Sequence, residues 1–138
     1  MGKNKYFAEG KDSWAVKLYS ALNPHKANLE SLQSYTLQSI NLNKSNIKQT
    51  IKKIFDDLSK PGPEGLSQRS DRESFPVGAS KILHFILPDL FIILDSNARR
   101  ELNNFYGFPK GKIDKSLYLE AIRIYQRELK RYIITDDG

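Results

Sequence analysis

The sequence predicts an all-α protein, a compact single-domain bundle of five or six helices. Three observations predict it. Apolar residues recur at i, i+3, i+4 and i+7 over several long windows; Ser, Asn and Asp precede those windows as caps, while Pro and Gly close them; and apart from residues 90–94 nothing could serve as a strand. At 138 residues the chain has material for one core. One domain over 1–138 is expected, with 1–11 and 135–138 flexible and 60–74 a long loop.

Composition narrows the function classes. Hydrophobic residues at 39% and charged residues at 28% suit a folded globular protein. The chain has no cysteine, which excludes disulfides, thiolate nucleophiles and cysteine metal sites. Two histidines make a histidine-rich metal centre unexpected, so neither a metal nor a cofactor is expected. No apolar run reaches membrane-spanning length, and the opening Met-Gly-Lys-Asn-Lys-Tyr has no signal-peptide core, so no membrane partner and a cytoplasmic address are expected. The net charge of +6 and a pI near 9.5 favour an anionic partner, although surplus surface lysine also serves plain solubility.

The helices follow in order. Asp12 or Ser13 can cap the first, which carries Trp14, Leu18 and Leu22 on one stripe and ends before Asn23-Pro24; Trp14 reads as core. Asn28 can cap a second, lined by Leu29, Leu32, Tyr35 or Thr36, and Ile40, and closed by the linker Asn41-Leu-Asn-Lys. Ser45 can cap the clearest one, with Ile47, Ile51, Ile54, Phe55 and Leu58 on a single face. Its opposite side is basic, and Lys48 and Lys52 there are candidates for phosphate contact or simply a solvated face. Residues 60–74 hold two prolines and two glycines; Arg69 and Arg72 are the loop's best-placed cations for a phosphate.

Residues 77–87 predict a helix broken at Pro88, and 89–94 a second apolar run closing on Asp95 and Ser96. This most apolar stretch contains Lys81, His84, Asp89 and Asp95. Lys81 and His84 are spaced to share a helix face, with Ile82, Phe85 and Ile86 on the other sides. If the two runs form a hairpin, Asp95 returns near the start of the first. Two readings stand for each charge: Lys81 is a desolvated amine with lowered basicity or extends to solvent, and Asp95 is its acid partner or a helix cap. Beyond Asp95 a helix carries Arg99 in its first turns. Tyr106 to Lys112 forms a glycine-containing loop suited to a nucleic-acid backbone or to plain connection. Ser116 can cap the last helix, whose apolar face of Tyr118, Ile122, Tyr125 and Leu129 lies beside a basic stripe of Arg123, Arg127 and Arg131. The tail from Thr135 is expected not to pack.

The pattern Ser80-Lys-x-Leu-His-Phe-x-x-Pro-x-Leu-Phe-x-x-x-Asp95, with the Tyr106-Gly107 loop and Tyr118-Leu119 after it, resembles a group of uncharacterised prokaryotic proteins. More distantly the region resembles the helix-hairpin-helix DNA glycosylase superfamily. There an apolar-Pro-Gly-Val-Gly-x-Lys hairpin precedes an apolar helix and a catalytic aspartate heading the next one. On that resemblance Phe75-Pro76 matches the hairpin start, Gly78 its second glycine, Lys81 the Schiff-base lysine and Asp95 the catalytic aspartate. It implies a glycosylase-like core, a DNA partner held by amides around Gly78 and by the basic helices, and base excision or strand incision in DNA repair. An enzyme and a non-catalytic relative both stay open. The alternative from another class is a protein-interaction module whose exposed surface is the 90–94 run or the tyrosine face of the last helix.

Overall fold

The computed structural model of the chain describes residues 14–60 and 76–137. It is all-helical, as expected, with no strand among the described residues. The helices are α1 (Trp14–Leu22), a 3-10 turn (Asn23–His25), α2 (Lys26–Leu32), α3 (Ser45–Ser59), α4 (Pro76–Ile86), α5 (Ser96–Tyr106) and α6 (Lys115–Asp137). Asp12, Ser13, the 60–74 loop from residue 61, Arg69, Arg72, both expected flexible ends except residues 135–137, and the side chain of Trp14 lie outside the described residues.

Helix α3 is the hub. Its five expected core positions, Ile47, Ile51, Ile54, Phe55 and Leu58, are all buried, and it packs against both α4 and α6. Phe55 stacks on Tyr118 of α6, ring centroids 4.2 Å apart and planes at 12°. An offset aromatic pair of this kind adds roughly 0.5–1.5 kcal/mol beyond its burial.

Several local expectations need correction. The second helix does not run to Ile40 but stops at Leu32. Beyond it Thr36 and Ser39 exchange side-chain hydrogen bonds with each other's backbone N–H at 2.9 and 3.1 Å, which offers the chain an alternative to helix. Asn28 lies inside that helix, because Pro24 starts the 3-10 turn earlier and leaves His25 at the cap. Lys44, not Ser45, occupies the cap position of α3, since the Asx turn of Asn41 (Asn43 N–H to Oδ1, 2.9 Å) carries the linker one residue less far. Asp114 replaces Ser116 as the acceptor at the head of α6, taking the Leu117 N–H at 2.8 Å. That helix continues to Asp137.

The segment after α4 explains the polar residues in the most apolar stretch. Pro88 does end the helix, and residues 91–95 run back alongside α4 in extended form. Because no strand partners this buried arm, side chains satisfy its backbone. His84 Nδ1–H donates to the Phe91 carbonyl at 2.7 Å, Tyr118 O–H donates to the Ile92 carbonyl at 2.8 Å, and the Leu94 N–H donates to Ser80 Oγ at 2.9 Å. Leu90, Phe91, Ile92 and Leu94 are buried, so the 90–94 run is not an exposed surface, which leaves the tyrosine face of the last helix as the other surface the interaction-module reading offered. Phe85, placed by the sequence on a side of the helix other than that of Lys81 and His84, is 83% exposed.

Candidate nucleic-acid interface

The returning arm sets the geometry of the candidate site. Ser80 lies in the second turn of α4 and Leu94 lies two residues before α5 begins, so their hydrogen bond brings the starts of both helices to one end of the molecule. Gly78 is the third residue of α4, among the amides that a helix leaves without internal partners. Lys81 and Asp95 each follow a member of the Ser80–Leu94 pair. Their side chains do different things. Lys81 is exposed, so the fold does not impose the desolvation that an amine among apolar residues would suffer. Asp95 is half-buried and caps α5, its Oδ1 accepting the Ala98 N–H at 2.9 Å. No ion pair joins the two among the described residues.

Beside this end, on one flank of α5, lies a cleft of about 390 Å³ lined by Ser96, Arg99, Arg100, Asn103, Asn104, Pro109 and Lys110. Among the described residues three cations and no carboxylate line it. The loop that supplies Lys110 is fixed by the end of α5. Gly107 adopts the left-handed conformation (φ 67°), its N–H reaches Asn103 O at 3.0 Å, and the Phe108 N–H reaches Leu102 O at 3.3 Å. Asn103 Nδ2 adds a bond of 2.8 Å to the Phe108 carbonyl, and Phe108 and Ile113 are buried, so this loop is anchored at both ends. Arg99 donates to the Gly111 carbonyl and keeps its Nε–H buried without a partner among the described residues. Arg100 donates to Asn97 Oδ1.

The other expected contacts are distributed elsewhere. Arg123 and Arg127 line a separate polar cleft of about 510 Å³ between residues 39–43 and α6, together with Lys130, Gln126 and Glu120. There Arg123 donates to Leu42 O at 3.0 Å, and Gln126 Nε2 to Leu37 O and Ile40 O at 2.9 and 2.7 Å, so both tie the turn after α2 to the last helix. Arg131, third in the stripe, pairs with Glu128 at 3.0 Å. Lys48 and Lys52 are half-buried on α3 and line neither cleft. Arg100 was not among the expected contacts, and Lys110 entered only within the 106–112 loop whose composition suits a nucleic-acid backbone. The Arg99-Arg100 doublet was visible in the sequence, but that Lys110 would fold back onto it depends on the left-handed Gly107.

A buried histidine with a half-buried acid partner also escaped the sequence reading. His25 is 3% exposed, and its Nε2–H donates toward Asp57 Oδ2 at 3.3 Å, while Nδ1 is buried without a partner among the described residues. Burial holds the His25 pKa below the usual histidine value; the Asp57 charge opposes this and Lys53 reinforces it. For Asp57 desolvation is the largest influence and works upward, yet the Lys53 and Lys60 ammoniums, each 3.2 Å away, together hold it below the usual range. Burial pushes the Tyr118 phenol strongly up.

Among the described residues no group of three or more His, Asp or Glu side chains is placed to hold a metal, and no helix is long and apolar enough to cross a membrane. Comparison with protein-family models, with curated proteins and with solved structures finds no match.

Proposed function

We propose that this protein binds nucleic acid, DNA in the first instance, with the phosphate backbone held in the α5 cleft of Arg99, Arg100 and Lys110. The observation that carries the reading is the lining itself: three cations, three neutral hydrogen-bonding side chains and no carboxylate, in a chain of net charge +6. Asp95 already fills the head of α5, so a phosphate settles on the helix flank and not at its N-terminus. Arginine suits that position, since its planar fork grips phosphate oxygens in pairs.

Anisotropy of a labelled duplex tests the reading across a salt series. Three neutralised phosphates give a slope near 0.9 per contact, or about 2.7 in log–log form. Arg100→Ala with Lys110→Ala, both exposed positions, should lower that slope by about 2. A slope unchanged by the pair, or no binding at low salt, rejects it.

The catalytic version places Lys81 as amine nucleophile and Asp95 as its acid. It draws support from the Ser80–Leu94 contact, which brings the two backbone positions to one end. Borohydride trapping on an abasic duplex decides it: a covalent complex lost in Lys81→Ala supports an enzyme, and no adduct leaves a binding protein.

A further inference from the structure

The opposite flank of α5 has the reverse chemistry. With 3.6 residues per turn, Glu101 and Phe105 face away from Ser96, Arg99 and Asn103, while Leu102 and Tyr106 lie between the two sides, Tyr106 only about 20° around the axis from Arg99. Glu101, Leu102, Phe105 and Tyr106 form, with Tyr125, Glu128 and neighbouring leucines and Ile124, a groove of about 620 Å³ between α5 and α6. Among the described residues no lysine, arginine or histidine lines it. A volume of this size matches small-molecule sites, and its walls are mostly apolar with few polar groups.

Three aromatic rings and two carboxylates share the groove. Phe105 is 77% exposed, a large ring that covers little of the protein's own core. The Tyr106 hydroxyl donates to Glu128 Oε1, which turns that ring toward the groove and directs its edge to the acid. Tyr125 lies half-buried on the α6 side, where burial first, then the Glu101 and Asp95 charges, push its phenol up. Glu101 is exposed and in no ion pair among the described residues. Of the cations nearby, Arg131 pairs with Glu128 at 3.0 Å from one turn further along α6, and Arg127 acts on Tyr106 only through space.

We propose that this groove binds a small organic cation: an ammonium or guanidinium head against Phe105, Tyr106 and Tyr125, balanced chiefly by Glu101 since Glu128 is already held by Arg131 and Tyr106, with an apolar body along Leu102 and Leu129. Ring faces are negative and attract such a head, and they do so best when the cation is weakly hydrated. The carboxylates turn away anions, so the site does not compete for the nucleic acid proposed for the other flank. Charge complementarity selects this occupant over a neutral apolar one.

The test is a two-dimensional amide NMR titration of the full chain with hexyltrimethylammonium, hexane-1-sulfonate and 1-hexanol in the millimolar range. The cation should shift amides of residues 101–106 and 124–129, and bind about tenfold more tightly than either other probe. Glu101→Gln should weaken the cation about fivefold and leave hexanol unchanged; Phe105→Ala should weaken the cation by a similar factor. The spectrum itself reports whether each variant is folded, and both positions are exposed. Equal binding of hexanol or sulfonate would reduce the groove to a plain apolar surface and overturn the proposal, as would shifts confined to other residues or no shift at all.

Discussion

The two flanks of α5 are built from one eleven-residue helix and differ in almost every chemical respect. One flank presents Arg99, Arg100 and two asparagines to a cleft closed by Lys110; the other presents Glu101, Phe105 and Tyr106 to a groove closed by Tyr125 and Glu128. At about 100° per residue Glu101 and Phe105 point away from Arg99 and Asn103, and Leu102 and Tyr106 lie between the two sides, so charges close in sequence serve different walls. A count of net charge over this helix therefore conceals both sites. Single helices can separate anion-favouring and cation-favouring surfaces by a few ångströms, provided that the next elements, here residues 107–114 and α6, wall off each side.

The harshest way to break the comparison is to remove what holds both walls. Leu102 is 3% exposed and lines the groove; its buried side chain seats the turn of α5 whose backbone carbonyl, kept in an alanine variant, receives the Phe108 N–H that positions the Lys110 loop. Leu102→Ala should cost 2–5 kcal/mol by lost transfer energy plus the cavity left behind, about the range for core leucines. Urea denaturation measures the cost, and binding of duplex and of hexyltrimethylammonium should weaken together. A loss below about 1 kcal/mol would mean that the flanks do not share this anchor.

How much of this was legible in the sequence follows from the range of the forces involved. The helix periodicity of α3 and the break at Pro88 were readable because they depend on neighbours within a turn or two. The cap at Asp95 was readable for the same reason. The shortened α2 was not, because Thr36 and Ser39 hydrogen bonds outbid an acceptable apolar pattern, and the Leu37 N–H is drawn to Asp89 O at 2.7 Å. His84 stood out as a polar residue in an apolar stretch, and Ser80 drew no attention. Their hydrogen bonds serve the backbone of the 91–95 arm, a partner dozens of atoms away along the chain and invisible to periodicity. The α5 cleft needed both the local Arg99-Arg100 doublet and a distant loop, so half of it was legible.

Asp95 offers a subtler separation, since its charge acts on both flanks. Asp95→Ala should lower stability by about 1 kcal/mol through loss of the Ala98 cap. Asp95→Asn keeps a capping oxygen and removes only the charge, so its stability should stay within about 0.5 kcal/mol of the parent. Duplex binding should then tighten and cation binding weaken, each about twofold, as expected for one partly screened charge. Opposite movements sharpen the comparison. Movements in the same direction would show that the two flanks respond to overall stability and not to their local fields.

The smallest expected effect sets how far the pH can be lowered in such measurements, and it comes from outside either flank. His25 is buried with its Nδ1 unpartnered, so a second ring proton would be a buried donor without an acceptor. Its folded pKa therefore lies below the unfolded value near 6.5, with burial as the main cause and Asp57 opposing it. The unfolded chain then binds the proton more readily, so stability rises with pH across the interval between the two values. It is fully present above about pH 6.5 and declines as the pH falls toward the folded pKa. The opposition of Asp57 keeps the net change small. Urea midpoints between about pH 7 and about pH 5.5 should fall slightly for the parent, and His25→Gln, which cannot take the proton, should flatten that slope. A midpoint that instead rises on acidification would mean that attraction to Asp57 outweighs burial, reversing the sign argued from the unpartnered nitrogen.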